Sequence, residues 1–297
     1  MTENLLDQHE LAILRRVYAR QMLALSSTEN SPLEAAFASV AREAFLGVEA
    51  WSMISIYGPQ KVPDNDPVYA YQDVLIALAP ERGVNNGSPS LHARLLDALA
   101  VHPGQTITHI GAGTGYYTAI LAELVGASGR VIAVEFDERL AQSAQSNLAE
   151  RQNVTVIHGD GAEWPCEACD CIYVNFAVAR PADAWLEHLK PGGKLLFPLG
   201  VPHPSAKLKA QHAARGVALL IERKEKGLSV RKISPSRFVL AEGALSGNAD
   251  IRAGLFKAFE NGGADFVKSL NWIEPGDPAR CWFWTPQWSL SYDPIED

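Results

Sequence analysis

The chain has 297 residues, 47% hydrophobic and 20% charged, the makeup of an ordinary globular protein. Its net charge of −8 argues against a nucleic-acid partner, because a phosphate backbone must be met by a basic surface. No apolar run approaches the roughly 20 residues that cross a bilayer. Met1-Thr2-Glu3-Asn4-Leu5-Leu6-Asp7 also lacks the basic start and apolar core of a leader, so a cytoplasmic protein is expected.

Residues 8–26 carry a helical period (Leu11, Leu14, Val17, Tyr18, Met22, Leu25). Ser31-Pro32-Leu33-Glu34 reads as the start of a second helix, with Ser31 as cap, and its apolar face includes Phe37, Val40 and Phe45. Gly, Pro and Asn mark residues 58–68 and Gly83–Pro89 as loops, and Pro89 opens a helix bearing Leu91, Leu95, Leu96 and Leu99. From 105 onward strand and helix patterns alternate. Strands are predicted at 105–110, 130–135, 154–157, 169–175 and 194–198, and helices at 115–126, 137–150 and 181–189. The run Lys190-Pro191-Gly192-Gly193-Lys194 reads as a turn. Val217–Lys224 and Leu228–Ile233 form a hairpin pattern, residues 249–270 a helix broken at Gly262-Gly263, and the tail is aromatic (Trp282, Phe283, Trp284, Trp288, Tyr292). The expected fold is α/β, a Rossmann-like doubly wound and mostly parallel sheet with N-terminal helices and a C-terminal β-hairpin and helical extension. By pattern the chain divides into 1–100, 101–243 and 244–297.

The densest signal is Thr108-His109-Ile110-Gly111-Ala112-Gly113-Thr114-Gly115-Tyr116-Tyr117, followed by Arg130–Glu135. A strand ends in glycines that let a ligand approach the backbone, a helix N-terminus offers unpaired N–H groups, and a second strand ends in an acid. A dinucleotide site requires G-x-G-x-x-G, but Tyr116 stands where the third glycine belongs, which argues against a pyrophosphate and a nicotinamide oxidoreductase. No Gly-Lys-Ser/Thr follows, so a phosphate loop is excluded. G-x-G-x-G with an acid about 20 residues on resembles the cofactor loop of S-adenosylmethionine-dependent methyltransferases.

In open α/β sheets ligands bind beyond the carboxyl ends of the strands. The candidates lie there: His109, Gly111, Ala112, Gly113 and Tyr116 at the first strand, Glu135 and Phe136 after the second, Asp160, Gly161 and Ala162 after the third, and Asn175 after the fourth. Glu135 can accept from both ribose hydroxyls, Phe136 can stack beside adenine, and Asp160 can accept the adenine amino group. Against this stand a solvated strand-end charge for Glu135 and a turn former for Asp160. His109 and His158 read either as satisfied core groups or as bases. Cys166, Cys169 and Cys171 cluster, but no second pair with zinc spacing follows; Cys169 and Cys171, flanking Asp170 on an apolar run, are expected as buried strand thiols. No metal is called for.

From about residue 15 to about 243 the chain resembles the protein-L-isoaspartate O-methyltransferase family. Ala38–Leu46 is similar to the family's Val-Pro-Arg-Glu-x-Phe-Val segment, and Ala70-Tyr71-Gln72-Asp73 to its Ala-Tyr-x-Asp. The glycine loop with Gly115-Tyr116, and the run from Asn153-Val154 to Gly159-Asp160-Gly161, look like its cofactor motifs. Leu189-Lys190-Pro191-Gly192-Gly193 to Pro198-Leu199-Gly200 resembles its Leu-Lys-x-Gly-Gly to Pro-x-Gly stretch, and Ser236-Arg237-Phe238-Val239 its Val-Arg-Phe-Val ending. The resemblance implies S-adenosyl-L-methionine as cofactor and methyl transfer to a carboxylate of a peptide, protein or small molecule.

Two departures accompany the likeness. The family's substrate loop reads Gly-Gln-Thr-Ile-Ser-Gln-Pro, with Thr and Ser hydroxyls serving the acceptor carboxylate. Here Gly83–Pro89 places Asn85 and Gly87 at those positions and Ser88 one later, so Asn85, Asn86 and Ser88 become the expected acceptor-binding groups. The position two before Gly111, acidic in the family, is His109. These departures motivate a competing reading, a non-catalytic binding protein that keeps the cofactor pocket. The aromatic tail is read either as a lid over the site or as core packed on the sheet.

Overall fold

The computed structural model describes residues 6–55, 58–204 and 212–295. The N-terminal stretch read above for a leader lies, up to Leu5, outside the described residues. Two compact units divide the chain: Met1–Thr106 with Ala112–Gly159, and Ile107–Gly111 with Asp160–Asp297.

The first unit begins with α1 (Gln8–Ser26). Asp7 accepts from the N–H groups of His9 and Glu10, and Glu10 returns a bond to the Asp7 N–H, a complete capping box. Leu11, Tyr18 and Met22 are buried, whereas Val17 and Leu25 are exposed, so the apolar stripe is narrower than the sequence period implies. The next helix, α2 (Ser31–Ser39), is capped by Asn30, whose side chain accepts from Leu33 N–H at 3.0 Å. Ser31, expected as the cap, is the first helical residue. The stretch that follows holds β1 (Ser52–Ser55), β2 (Gly58–Lys61), the short α3 (Pro67–Ala70), β3 (Leu75–Ala79) and β4 (Val84–Asn85). These strands form a four-stranded antiparallel sheet in the order β2-β1-β3-β4. Residues 58–68, expected as loop, therefore contain a strand and the start of a helix. Ser88 caps α4 (Pro89–Leu99), which packs with α2 on α1.

β5 (Thr106–Ile110) leads into α5 (Tyr116–Val125), β6 (Arg130–Glu135), α6 (Glu138–Asn147) and β7 (Val154–His158). β6 and β7 pair in parallel, and both helices pack on β6.

The second unit takes Ile107–Gly111 and adds β8 (Cys169–Val174), α7 (Asp183–Glu187), β9 (Leu189–Val201), β10 (Arg215–Lys224), β11 (Gly227–Pro235), α8 (Ala249–Asn261), β12 (Ser269–Trp272), β13 (Cys281–Trp284) and β14 (Trp288–Ser291). β5 pairs in parallel with β8 and β8 with β9; the sheet then continues antiparallel as β9-β10-β11-β12-β14-β13. The alternation and the parallel pairings make an α/β, Rossmann-like fold, as predicted.

The expected turn at Lys190–Lys194 lies inside β9 as a bulge. The register moves from Cys169↔Leu189 to Cys171↔Lys194, and Gly192 takes φ +74°. Cys169 and Cys171 are buried on β8, and burial pushes their thiols up to about 11 and about 12. Among the described residues no cluster could hold a metal ion. Of the tail, Trp282, Phe283, Trp288 and Leu290 join one apolar cluster with Trp185, Phe197 and Leu219, while Trp284 and Tyr292 are exposed. Among the described residues no helix is long and apolar enough to cross a membrane.

Candidate functional site

In the first unit the glycine loop is held open by backbone geometry. Gly113 has φ +58°, where a side chain would meet only an ordinary 3.5 Å contact with Leu78, so the dihedral, not space, selects glycine. Gly115, at φ +98°, is the N-cap residue of α5 and, having no side chain, offers the helix no capping bond. Ala112 N–H donates to Val134 O at 3.2 Å, seating the loop on β6.

Glu135 ends β6 with only 8% of its surface exposed. Its Oε2 accepts from Gly113 N–H at 2.7 Å and its Oε1 from Asp137 N–H at 3.0 Å. Burial raises its pKa, and the two N–H bonds oppose that rise. Each oxygen keeps a second lone pair for a hydroxyl donor. Glu135 is thus an anchored acceptor and not a solvated strand-end charge. Phe136 beside it is 45% exposed.

Tyr116 is placed differently from expectation. As the first residue of α5 it turns its ring into the helical layer, against Phe45 (5.7 Å between centroids) and Phe37 (6.4 Å), with its hydroxyl 3.4 Å from that of Tyr18. Only its backbone remains at the loop. Helical side chains lean toward the N-terminus, and here that direction leads into core.

The loop Gly83–Pro89 is tied down by the residues expected to bind the acceptor. Asn85 accepts from Gly87 N–H at 2.9 Å and donates to Gly83 O at 3.3 Å. Asn86 bridges to β3 in both directions: its Oδ1 accepts from Ile76 N–H at 2.8 Å and its N–H donates to Ile76 O at 3.0 Å. Ser88 Oγ donates to Asp73 Oδ1 at 2.9 Å and accepts from Leu91 N–H at 3.4 Å. The expectation that two amides and a hydroxyl all face a carboxylate is therefore corrected. The Ser88 proton already belongs to Asp73, and Asn85 folds onto its own loop. The Asn86 Nδ2 donor is buried and has no partner among the described residues.

Sequence reasoning missed Asp73, which also takes Ser90 N–H (3.0 Å) and Ser90 Oγ (2.5 Å). Its signal was present in the Ala70–Asp73 motif. It also missed Arg82, which pairs with Asp137, and the reason for Gly87. A side chain at Gly87 would come within 2.2 Å of His92 Nε2, and its φ is +73°.

In the second unit His109 is fully buried on β5, its Nε2 2.7 Å from Asn175 Nδ2 and its ring stacked on Tyr173. Burial drives its pKa down to about 3, so the imidazole is neutral. Asn175 N–H donates to Ile110 O at 2.9 Å, while its Oδ1 is buried and has no partner among the described residues. Gly111 (φ +76°) leaves room for Phe176, which a Cβ would meet at 2.7 Å; one at Gly161 would meet Ile110 at 2.2 Å. Asp160 forms the turn that precedes Glu163: its Oδ1 accepts from Ala162 N–H at 2.9 Å and its Oδ2 from Ala244 N–H at 3.3 Å. Both Asp160 oxygens are thus engaged within its own turn and with Ala244.

Residues 32–231 match the family model described as protein-L-isoaspartate(D-aspartate) O-methyltransferase. The protein-L-isoaspartate O-methyltransferase of Methanopyrus kandleri is 36% identical over 159 residues, covering 52% of this chain and 70% of the relative. That of Aeropyrum pernix is 35% identical over 146 residues, 48% of this chain and 55% of the relative. A solved protein-L-isoaspartate O-methyltransferase superimposes with TM-score 0.63 at 22% identity over 89% of this chain and 74% of that one. A Plasmodium falciparum structure with S-adenosyl-L-homocysteine bound, a candidate enzyme of the same name, gives 0.60 at 16% identity over 77% and 98%.

Proposed function

The chain belongs to the protein-L-isoaspartate(D-aspartate) O-methyltransferase family, and on that premise we propose that it methylates a carboxylate of a peptide or protein. S-adenosyl-L-methionine is the methyl donor. The observation that carries the proposal is Glu135, a buried carboxylate fastened to the glycine loop by Gly113 N–H yet retaining acceptor capacity. A cofactor with a ribose diol and no pyrophosphate fits that arrangement: the diol would meet the carboxylate, and Ala112 and Gly113 would admit the amino-acid arm. Phe136 would flank the base. The orphaned Oδ1 of Asn175 is an acceptor suited to an ammonium, with His109 fixing the amide.

When bound, the cofactor supplies a methyl group already activated on a sulfonium. The residues of the chain therefore need only hold the acceptor in line, exclude water and orient the attacking oxygen. A carboxylate acceptor is ionised at neutral pH, so no general base is required. Asn86 Nδ2 is the donor best suited to steer it, with Asp73 and Ser88 holding the loop. The net charge of −8 argues against a nucleic-acid acceptor, and the free cysteines fit a reducing, cytoplasmic setting.

Two measurements test this. Calorimetry with S-adenosyl-L-homocysteine should give saturable heat, and labelled methyl should pass to an isoaspartyl peptide but not to its aspartyl isomer. A flat trace at millimolar ligand removes the cofactor. Binding without transfer to any peptide or extract protein removes the enzyme and leaves a binding module.

A further inference from the structure

Four residues form an unbroken chain of contacts through the first unit. Gly113 N–H donates to Glu135 Oε2, and Asp137 N–H donates to Glu135 Oε1. The Asp137 carboxylate divides its work, Oδ1 capping α6 through Leu140 N–H at 2.8 Å and Oδ2 pairing with Arg82. Arg82 immediately precedes Gly83, whose φ of +68° begins the substrate loop. A second strut runs alongside: Arg139 of α6 donates to Leu78 O at 3.0 Å, and Leu78 lies beneath Gly113.

We propose that Arg82 is a positioning residue that couples the substrate loop, Gly83–Pro89, to occupancy of the cofactor site at Glu135. The inference rests on the cofactor reading given above. An exposed ion pair would contribute little, but here the Arg82 and Asp137 side chains are 30% and 18% exposed. The Asp137 carboxylate is also held by its capping bond, so a shift of the Glu135–Asp137 corner is passed to the guanidinium. The Arg82 charge also reaches Glu135, whose pKa it lowers against the larger effect of burial. Hydroxyls bonded to Glu135 fix that corner, and the ordering passes through Asp137 to Arg82 and the first loop residue. Linkage makes the effect reciprocal: an acceptor held by the loop tightens cofactor binding by the same factor.

The test is amide hydrogen exchange of the loop with and without S-adenosyl-L-homocysteine, run beside calorimetry. Asn86 N–H, bonded to Ile76 O, is the natural reporter. In the unaltered protein the ligand should slow exchange at Asn86 and Gly87 by at least about fivefold, the lower end of ordinary site-to-site coupling. Arg82→Lys should keep that protection; Arg82→Gln and Asp137→Asn should lose it while still binding the ligand. Asp137→Asn keeps an oxygen for the α6 cap, which separates coupling from folding. With an isoaspartyl peptide, Arg82→Gln should raise KM about tenfold or more and leave kcat within about twofold. Equal protection in Arg82→Gln and the unaltered protein, or ligand binding with no protection in either, overturns the coupling. Absence of ligand binding to the unaltered protein overturns the cofactor reading itself.

Discussion

The carboxylate of Glu135 accepts a 2.7 Å hydrogen bond from the backbone N–H of Gly113, so the acid that ends one strand is part of the loop that ends another. Glu135→Ala should therefore act twice. It should weaken S-adenosyl-L-homocysteine binding by roughly 1–3 kcal/mol, the scale of hydrogen bonds to a charged group, and lower the melting temperature of the ligand-free protein. Calorimetry and thermal melts read the two effects. An affinity change below about twofold would place the ribose elsewhere.

The same burial predicts a pH dependence. Because the Glu135 pKa is raised, its carboxylate takes up a proton at a higher pH than an ordinary glutamate. Cofactor affinity should fall as pH drops through that raised value, since the protonated group loses acceptor capacity. Glu135→Gln should bind more weakly at neutral pH and show a flatter profile. The proton-linked part of stability runs the other way: it is fully present below the unfolded value and lost as pH rises through the folded one, separately from the Gly113 and Asp137 hydrogen bonds that truncation removes.

His109 titrates in the opposite sense. Its folded pKa, about 3, lies well below the unfolded value, so its contribution to stability is present above about 6.5 and is lost as pH falls toward 3. Urea unfolding at stepped pH should show the unaltered protein losing up to about 1.4 kcal/mol per pH unit from this group in that window. His109→Asn should start less stable and fall less steeply. Parallel curves would mean that His109 is already protonated or solvated.

Asn86→Ala should destabilise the protein by roughly 1–3 kcal/mol, because it strands the buried Ile76 N–H that the side chain satisfies. Transfer to a peptide should drop in the same variant, while calorimetric affinity for S-adenosyl-L-homocysteine stays within about threefold, less than the free energy of one net hydrogen bond. A variant as stable as the parent would show that the bridge to β3 contributes nothing.

Deleting residues 279–297 removes β13 and β14, strips β12 of a partner and takes Trp288 and Leu290 from the core. The truncated chain should be recovered as aggregate, since an unpaired edge beside exposed apolar surface templates association. A soluble, folded product with altered peptide range would instead make the tail a lid.

What could be read from the sequence was written by local constraint. Gly111, Gly113 and Gly115 all take positive φ, which leaves a glycine signature, and Glu135 sits where a strand must end. The directions of side chains were hidden. Tyr116 carries a motif position but buries its ring, because that choice depends on Phe37 and Phe45, far away in sequence. Arg82 and Asp137 lie 55 residues apart, and Asp73 and Ser88 lie 15 apart, so neither pair leaves a local pattern. Asn86 looked like a free amide, yet it pairs with Ile76 as a strand residue would. The tail strands β12, β13 and β14 are four residues each, too short for alternation to declare itself.

The interrupted course of the second unit sets a timetable for its folding. On the ribosome β5 emerges early, but its partner β8 follows only after all of Ala112–Gly159 has been made, so one edge of β5 waits through that interval. The far end of the sheet waits longer still. β14, which follows β13 in the chain, lies between β12 and β13, so β13 has nowhere to dock until β14 has been made. The first unit is complete in sequence once Gly159 has been made, whereas the second cannot be complete before β14.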